Sequence, residues 1–88
     1  MASYNLMKRA DRARLRADRQ GELDAIKAGL WPRDLNDAMR WGLGRADADH
    51  ARKCITVELE YLDGVGARID AGELVGWEPE GSTLPAQA

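Results

Sequence analysis

Phenylalanine is missing from this chain of 88 residues, and cysteine occurs once, as Cys54. A lone cysteine excludes an internal disulfide and suits a reducing compartment. With one histidine, His50, beside it, the chain has no set of Cys and His ligands for a four-coordinate structural metal. No run of about 18 apolar residues occurs, so no membrane-spanning helix is expected. The opening residues Met1-Ala2-Ser3-Tyr4-Asn5-Leu6 lack the charged-then-apolar order of a secretory signal, so the cytoplasm is the expected location. Without phenylalanine, Trp31, Trp41 and Trp77 must supply much of the large apolar area, and at least two are expected as core anchors. Nothing can staple so short a chain, and its single core is marginal. Oligomerisation or a larger partner is the remaining source of stability.

Charge is present in quantity and unevenly placed. The net charge is −2. Residues 1–20 carry six basic side chains (Lys8, Arg9, Arg12, Arg14, Arg16, Arg19) against Asp11 and Asp18. Residues 57–80 carry seven acidic ones (Glu58, Glu60, Asp63, Asp70, Glu73, Glu78, Glu80) against Arg68. Such asymmetry points to self-complementary packing or to a partner at one end.

Residues 4–28 read as a first helix capped by Ser3 and closed by Gly29, with Leu30 folding back. Its apolar stripe is Leu6, Met7, Ala10, Ala13 and Ala17. Beyond Gly21 the stripe moves to Leu23, Ile26 and Leu30, so a bend near residue 21 is expected. On a helical wheel Lys8, Arg9, Arg12, Arg16 and Arg19 share an arc of roughly 100°, with Arg14 opposite. A second helix over 32–41 starts at Pro32, with Asp34 at its positive end, and places Leu35, Ala38 and Met39 at helical spacing. Gly42-Leu43-Gly44 ends it, and Asp47 or Asp49 can cap the next element.

The stretch 54–62 decides the fold. Residues 55–61 alternate as a strand would, with Ile55, Val57, Leu59 and Tyr61 on one side. Over a wider window, Ala48, Ala51, Ile55, Leu59, Leu62 and Ile69 share one helical face, widened by Cys54, Val57, Tyr61 and Val65. The helical pattern is the longer one. The expected fold is therefore all-α: a small three-helix domain over residues 1–77, with helices at about 4–28, 32–41 and 48–71, and a mobile tail at 78–88. The alternative is α+β, with a C-terminal hairpin from 54–62 and 73–77. Gly64 and Gly66 either end the third helix near residue 63 or admit another helix closely.

Candidate chemistry is sparse. His50 and Cys54 share a helix face, and a packed thiol beside a helix-entry histidine explains them better than a nucleophile pair. Glu58, at the edge of the apolar face, is expected to pair with Arg14 or Arg68. Gly42-Leu43-Gly44-Arg45-Ala46-Asp47 lacks the Lys-Ser/Thr and the preceding strand of a phosphate loop. No catalytic set, cofactor or metal site emerges, and an enzyme is not expected. Two partner surfaces are candidates: the basic stripe Lys8, Arg9, Arg12, Arg16 and Arg19, and an acidic, Trp-bearing end formed by Trp77, Glu78 and Glu80. The function these favour is a non-catalytic protein-binding module or accessory factor; a phage-encoded inhibitor that occupies a surface of a larger host machine would be one such case. The alternatives are nucleic-acid binding through the basic stripe and a self-assembling virion or scaffold subunit. A protein partner is expected, a homo-oligomer is compatible with the thin core, nucleic acid is less favoured, and no membrane is involved.

Overall fold

A computed structural model describes residues 4–76. A 3-10 turn at Tyr4–Leu6 precedes helices α1 (Arg9–Ala28), α2 (Leu35–Trp41) and α3 (Arg45–Asp70). There is no strand among the described residues, and the stretch 54–62 lies wholly within α3. Its seven-residue alternation belongs to a helix with a broad apolar face. The expected tail at 78–88 and the Ser3 cap lie outside the described residues.

The long helices pair as a hairpin, and the described residues are slender, measuring 51 × 21 × 21 Å. Their Cα radius of gyration is 15.5 Å, against about 11 Å for a compact chain of that length. The seam follows the 4–3 spacing of two helices that lie nearly side by side. On α3 it buries Ala51, Ile55, Leu59, Leu62 and Val65. On α1 it runs through Arg12, Arg16, Arg19, Leu23 and Ile26. The core cluster is Leu23, Ala51, Ile55 and Leu59, with Ile26, Trp31 and Trp41 packed against it. Two of the three tryptophans therefore line the core, and Trp77 lies outside the described residues.

Several boundaries differ from expectation, each for a visible reason. The first helix starts at Arg9, because residues 4–6 form a separate turn that packs on α3 and Lys8 is extended. The Arg12 guanidinium donates to the Met7 carbonyl at 2.9 Å in that break. No break occurs at Gly21, and α1 continues through it. A Cβ there would lie 3.1 Å from Nη1 of Arg33, so the glycine makes room for an arginine from the following loop. Gly29 ends α1 with φ 76°, and the Leu30 N–H closes back on the Ala25 carbonyl at 2.8 Å. The Leu30 side chain nevertheless points to solvent.

The second helix begins at Leu35, with Asp34 as its cap: the Asp34 carboxylate accepts from the Asp37 N–H at 3.2 Å. Gly42, at φ 104°, separates α2 from α3, and a Cβ there would collide with the Asp47 carboxylate. That carboxylate accepts from the Gly44 N–H at 2.9 Å, so Asp47 caps α3 from within its first turn. At the other end, Gly64 and Gly66 do not stop α3, and among the described residues nothing lies within 4 Å of either Cβ position.

The inner face of α1 is the main correction to the sequence reading. Ala13 and Ala17 are exposed, while Arg12 is buried and Arg16 and Arg19 are half-buried. The arginine stripe faces α3, and part of the alanine stripe faces water.

Candidate functional site

The most heavily built feature is a chain of hydrogen bonds that joins all three helices and the N-terminal turn. Tyr4 Oη donates to Glu58 Oε2 at 2.6 Å, and Arg19 Nε donates to Glu58 Oε1 at 3.0 Å. Arg19 Nη1 reaches Asp18 Oδ2 at 2.7 Å, and Arg33 Nη2 reaches Asp18 Oδ1 at 3.1 Å. Arg33 then forks onto Asp37, with Nε to Oδ2 at 2.8 Å and Nη2 to Oδ1 at 2.9 Å. Arg40 Nη2 bridges Asp37 Oδ1 and Glu22 Oε1, both at 2.9 Å. Trp31 Nε1 closes the chain on Glu22 Oε2, also at 2.9 Å.

Glu22 and Asp37 are 0% exposed. Removing two carboxylates from water is costly unless each oxygen finds a donor. Here each does. Glu22 has Arg40 on one oxygen and Trp31 on the other. Asp37 has Arg33 and Arg40 on one, and the Arg33 backbone N–H and Nε on the other. The Arg33 hydrogen bond holds the Asp37 carboxyl at about 2 against the opposing effect of burial, helped by the Arg33 N–H and by both guanidinium charges. The same bond raises Arg33. Burial works against the charge of Arg40, but Glu22 and Asp37 outweigh it and the guanidinium is raised. At the far end burial pushes the Tyr4 phenol up to about 12, reinforced by the hydrogen bond to Glu58 and its charge. With its oxygens already donated to, the buried pair of acids positions α2 and offers no open oxygen to a ligand.

A polar inner face leaves α2 with an apolar outer one. Leu35 and Met39 lie one turn apart on the side away from Asp37. They are 71% and 75% exposed, and Leu30 and Leu43, on either side of the helix in sequence, are 73% exposed each. The helical spacing read from the sequence for Leu35, Ala38 and Met39 did not say which side of α2 is covered. The acids of this corner are inside and its cations outside. The Arg33 and Arg40 side chains keep 27% and 32% of their surface in water. Lys27 and Arg45 are exposed and make no ion pair among the described residues. Asp34 is the only exposed carboxylate within residues 27–45.

The basic stripe named from the sequence is not assembled as one solvated face. Lys8 and Arg9 are exposed, and Arg12 is only 9% exposed. Arg16 turns to Asp63 on α3, with Nε to Oδ1 at 2.6 Å, which raises the guanidinium and lowers the carboxyl. Arg19 joins Glu58 and Asp18. Glu58 thus pairs with Arg19 and Tyr4 instead of Arg14 or Arg68; Arg14 pairs with Asp11, and Arg68 lies 3.9 Å from Glu73. Trp77, Glu78 and Glu80 lie outside the described residues. Cys54 Sγ sits 3.5 Å from His50 Nε2, and the His50 ring meets the Trp41 ring edge-on. Among the described residues no group of three or more His, Cys, Asp or Glu could hold a metal, and no helix is long and apolar enough to cross a membrane. The Gly42–Gly44 segment offers no anion cradle, since the Asp47 carboxylate already occupies the Gly44 N–H.

The sequence carried one missed signal. Asp18 with Glu22 and Arg33 with Asp37 stand four apart, and Asp37 with Arg40 three apart, which are the spacings of facing helical pairs. Nothing local, however, shows that an acid of α1 meets an arginine of α2. No family model, no curated protein and no solved structure matches this chain. The fold and site alone define a slender helical hairpin that carries a short helix with its apolar side outward.

Proposed function

We propose that this chain is a small non-catalytic protein-binding module whose contact surface is the outer face of α2. The observation that supports this is the outward apolar side of α2. Leu30, Leu35, Met39 and Leu43 are 71–75% exposed, and each forgoes about 1.5–3 kcal/mol of burial. Concentrations of exposed apolar side chains on a small protein mark contact sites. The polar network supports the reading from below, because it fixes the helix without using its apolar side. The surrounding chemistry supports a partner of one kind: an apolar segment flanked by carboxylates, which would meet Leu35 and Met39 and the cations Lys27, Arg33, Arg40 and Arg45.

A photoreactive amino acid placed at position 39, in cells of the native host, tests this. The expected result is a discrete cross-linked species at position 39 that is absent when the probe stands at exposed Ala13. Diffuse or equal labelling at the two positions would sink the proposal.

A further inference from the structure

Gly21 sits inside α1, yet the backbone there has no need of glycine. The helix runs through it without a break, and the glycines with positive φ are Gly29, Gly42 and Gly72. A glycine in a helix interior lowers the folding equilibrium about fivefold relative to alanine. What it leaves open is the turn before it. A helical side chain lies over the turn N-terminal to its own Cα, so a side chain at position 21 would cover the Asp18 carbonyl. Arg33 takes that place. Its Nη1 donates to the Asp18 carbonyl at 3.1 Å, and a Cβ at position 21 would stand 3.1 Å from the same nitrogen.

We propose that Gly21 is a positioning residue of the α2 contact surface: the notch it leaves admits the Arg33 guanidinium, and the guanidinium sets which side of α2 faces outward. The role rests on the reading of α2 as the contact surface.

Arg33 has little room to move aside, because its other donors are committed. Nε and Nη2 fork onto the two Asp37 oxygens at 2.8 and 2.9 Å, and Nη2 also reaches Asp18 Oδ1 at 3.1 Å. One planar group thus joins a carbonyl and a carboxylate of α1 to a carboxylate inside α2, and such a fork fixes direction as well as distance. Arg40, one turn beyond Asp37, is a second anchor, on Glu22 at 2.9 Å. Asp18 and Glu22 stand four apart, on successive turns of α1. The short helix is therefore held at two points along α1, and a roll about its own axis breaks at least one of them. Leu35 and Met39 lie on the side away from both. Gly64 in α3 is the contrast: it too lies inside a helix, but among the described residues nothing stands within 4 Å of its Cβ position.

The test is a double-mutant cycle on the purified full chain, with Gly21→Leu and Arg33→Ala made singly and together and Gly64→Leu as the reference. Urea unfolding and amide exchange are the readouts. Gly64→Leu should raise the folding equilibrium about threefold to fivefold, the ordinary gain from replacing a helical glycine. Gly21→Leu should bring no gain while Arg33 is present, and should speed exchange of the α2 amides at least about threefold relative to those of α3. With Arg33→Ala in place, the same Gly21→Leu should show the full gain. A gain at position 21 equal to that at 64 while Arg33 is present overturns the proposal, as does an equal response in both backgrounds. The binding readout is the photoreactive amino acid at position 39 in cells of the native host. Gly21→Leu should lower the yield of the discrete product at least about threefold, since the competent orientation is then only a fraction of the population. An undiminished yield overturns the positioning role and leaves the α2 contact surface standing. No discrete product from the unchanged chain removes the contact surface, and the positioning role with it, even where the cycle shows coupling.

Discussion

Two regions of this small protein hold their parts together by different means. Where the C-terminal half of α1 meets the N-terminal half of α3, the contact is apolar: Leu23, Ala51, Ile55 and Leu59, flanked by Ile26 and both described tryptophans. Where α2 meets α1, the contact is ionic: Glu22, Asp37, Arg33 and Arg40 with the Trp31 indole. Burial of hydrocarbon is non-directional and tolerates adjustment. A buried ionic network needs each donor in place, and removal of one member leaves the others without a partner. The comparison teaches how a helix of seven residues can turn Leu35 and Met39 outward: beside Trp41, which packs on the core, directional bonds on its inner side take the place of further apolar contact.

The sharpest way to break the comparison is to remove one centre from each region. Asp37→Ala removes the buried carboxylate that Arg33 and Arg40 share, leaving them Asp18 and Glu22, and is expected to cost up to about 3–5 kcal/mol in urea unfolding, the range for a broken buried pair. Ile55→Ala leaves a cavity and is expected to cost about 2–5 kcal/mol. The two differ in where the loss appears. In native-state hydrogen exchange, Asp37→Ala should expose α2 amides well before those of α3, and Ile55→Ala should lower protection of α1 and α3 together. Equal loss across all three helices in both variants would show that the regions are one unit.

Acid separates the regions without mutation. The Asp37 carboxyl is held at about 2 in the folded chain, below its ordinary 3.8. A folded value below the unfolded one contributes stability that is fully present above about pH 4 and lost as the pH falls toward 2; this shift is worth about 2 kcal/mol. The Leu23, Ala51, Ile55 and Leu59 cluster holds no titratable group, although the exposed Arg16–Asp63 pair beside it shifts in the same direction. Tryptophan fluorescence across pH 5 to 2 should therefore report a change at Trp31 before the helical signal falls.

A smaller effect compares the two indoles. Trp31 Nε1 donates to buried Glu22, whereas Trp41 Nε1 is buried with no hydrogen-bond partner among the described residues. Trp31→Phe should cost about 1–3 kcal/mol in thermal unfolding, from the stranded carboxylate, and Trp41→Phe should be milder because it removes an unsatisfied donor. The smallest effect is expected outside. Leu35→Ser and Met39→Ser should change stability by no more than about 0.5 kcal/mol, as exposed substitutions do, and a larger loss would place those side chains inside.

Much of the helical framework was legible in the sequence. Extending the window around 54–62 distinguished helix from strand, because Ala51, Ile55, Leu59 and Leu62 keep helical spacing beyond the alternating run. Gly29 marked the end of α1. One face was misjudged for a physical reason: periodicity locates residues on a face, and composition was then used to choose which face is buried. On α1 the alanines were placed inside and the arginines outside. Arginine stems can cover apolar surface while their heads find carboxylates, and the 12-16-19-23-26 spacing shows that the arginines continue the seam of Leu23 and Ile26. On α2 the helical spacing of Leu35, Ala38 and Met39 left open which side is covered. The Glu22–Arg40 bridge spans two helices joined by a loop, and no local pattern encodes that meeting.

The 21 Å cross-section has a consequence for how anything can bind here. Two helices side by side, each about 10–12 Å across with side chains, fill that width. The described residues have no deep interior; their core is a line of side chains one residue thick. A line can be widened only by laying another element along it, so a contact of the kind proposed at α2 would run lengthwise, and a shift in register along it would matter more than a change in overall shape.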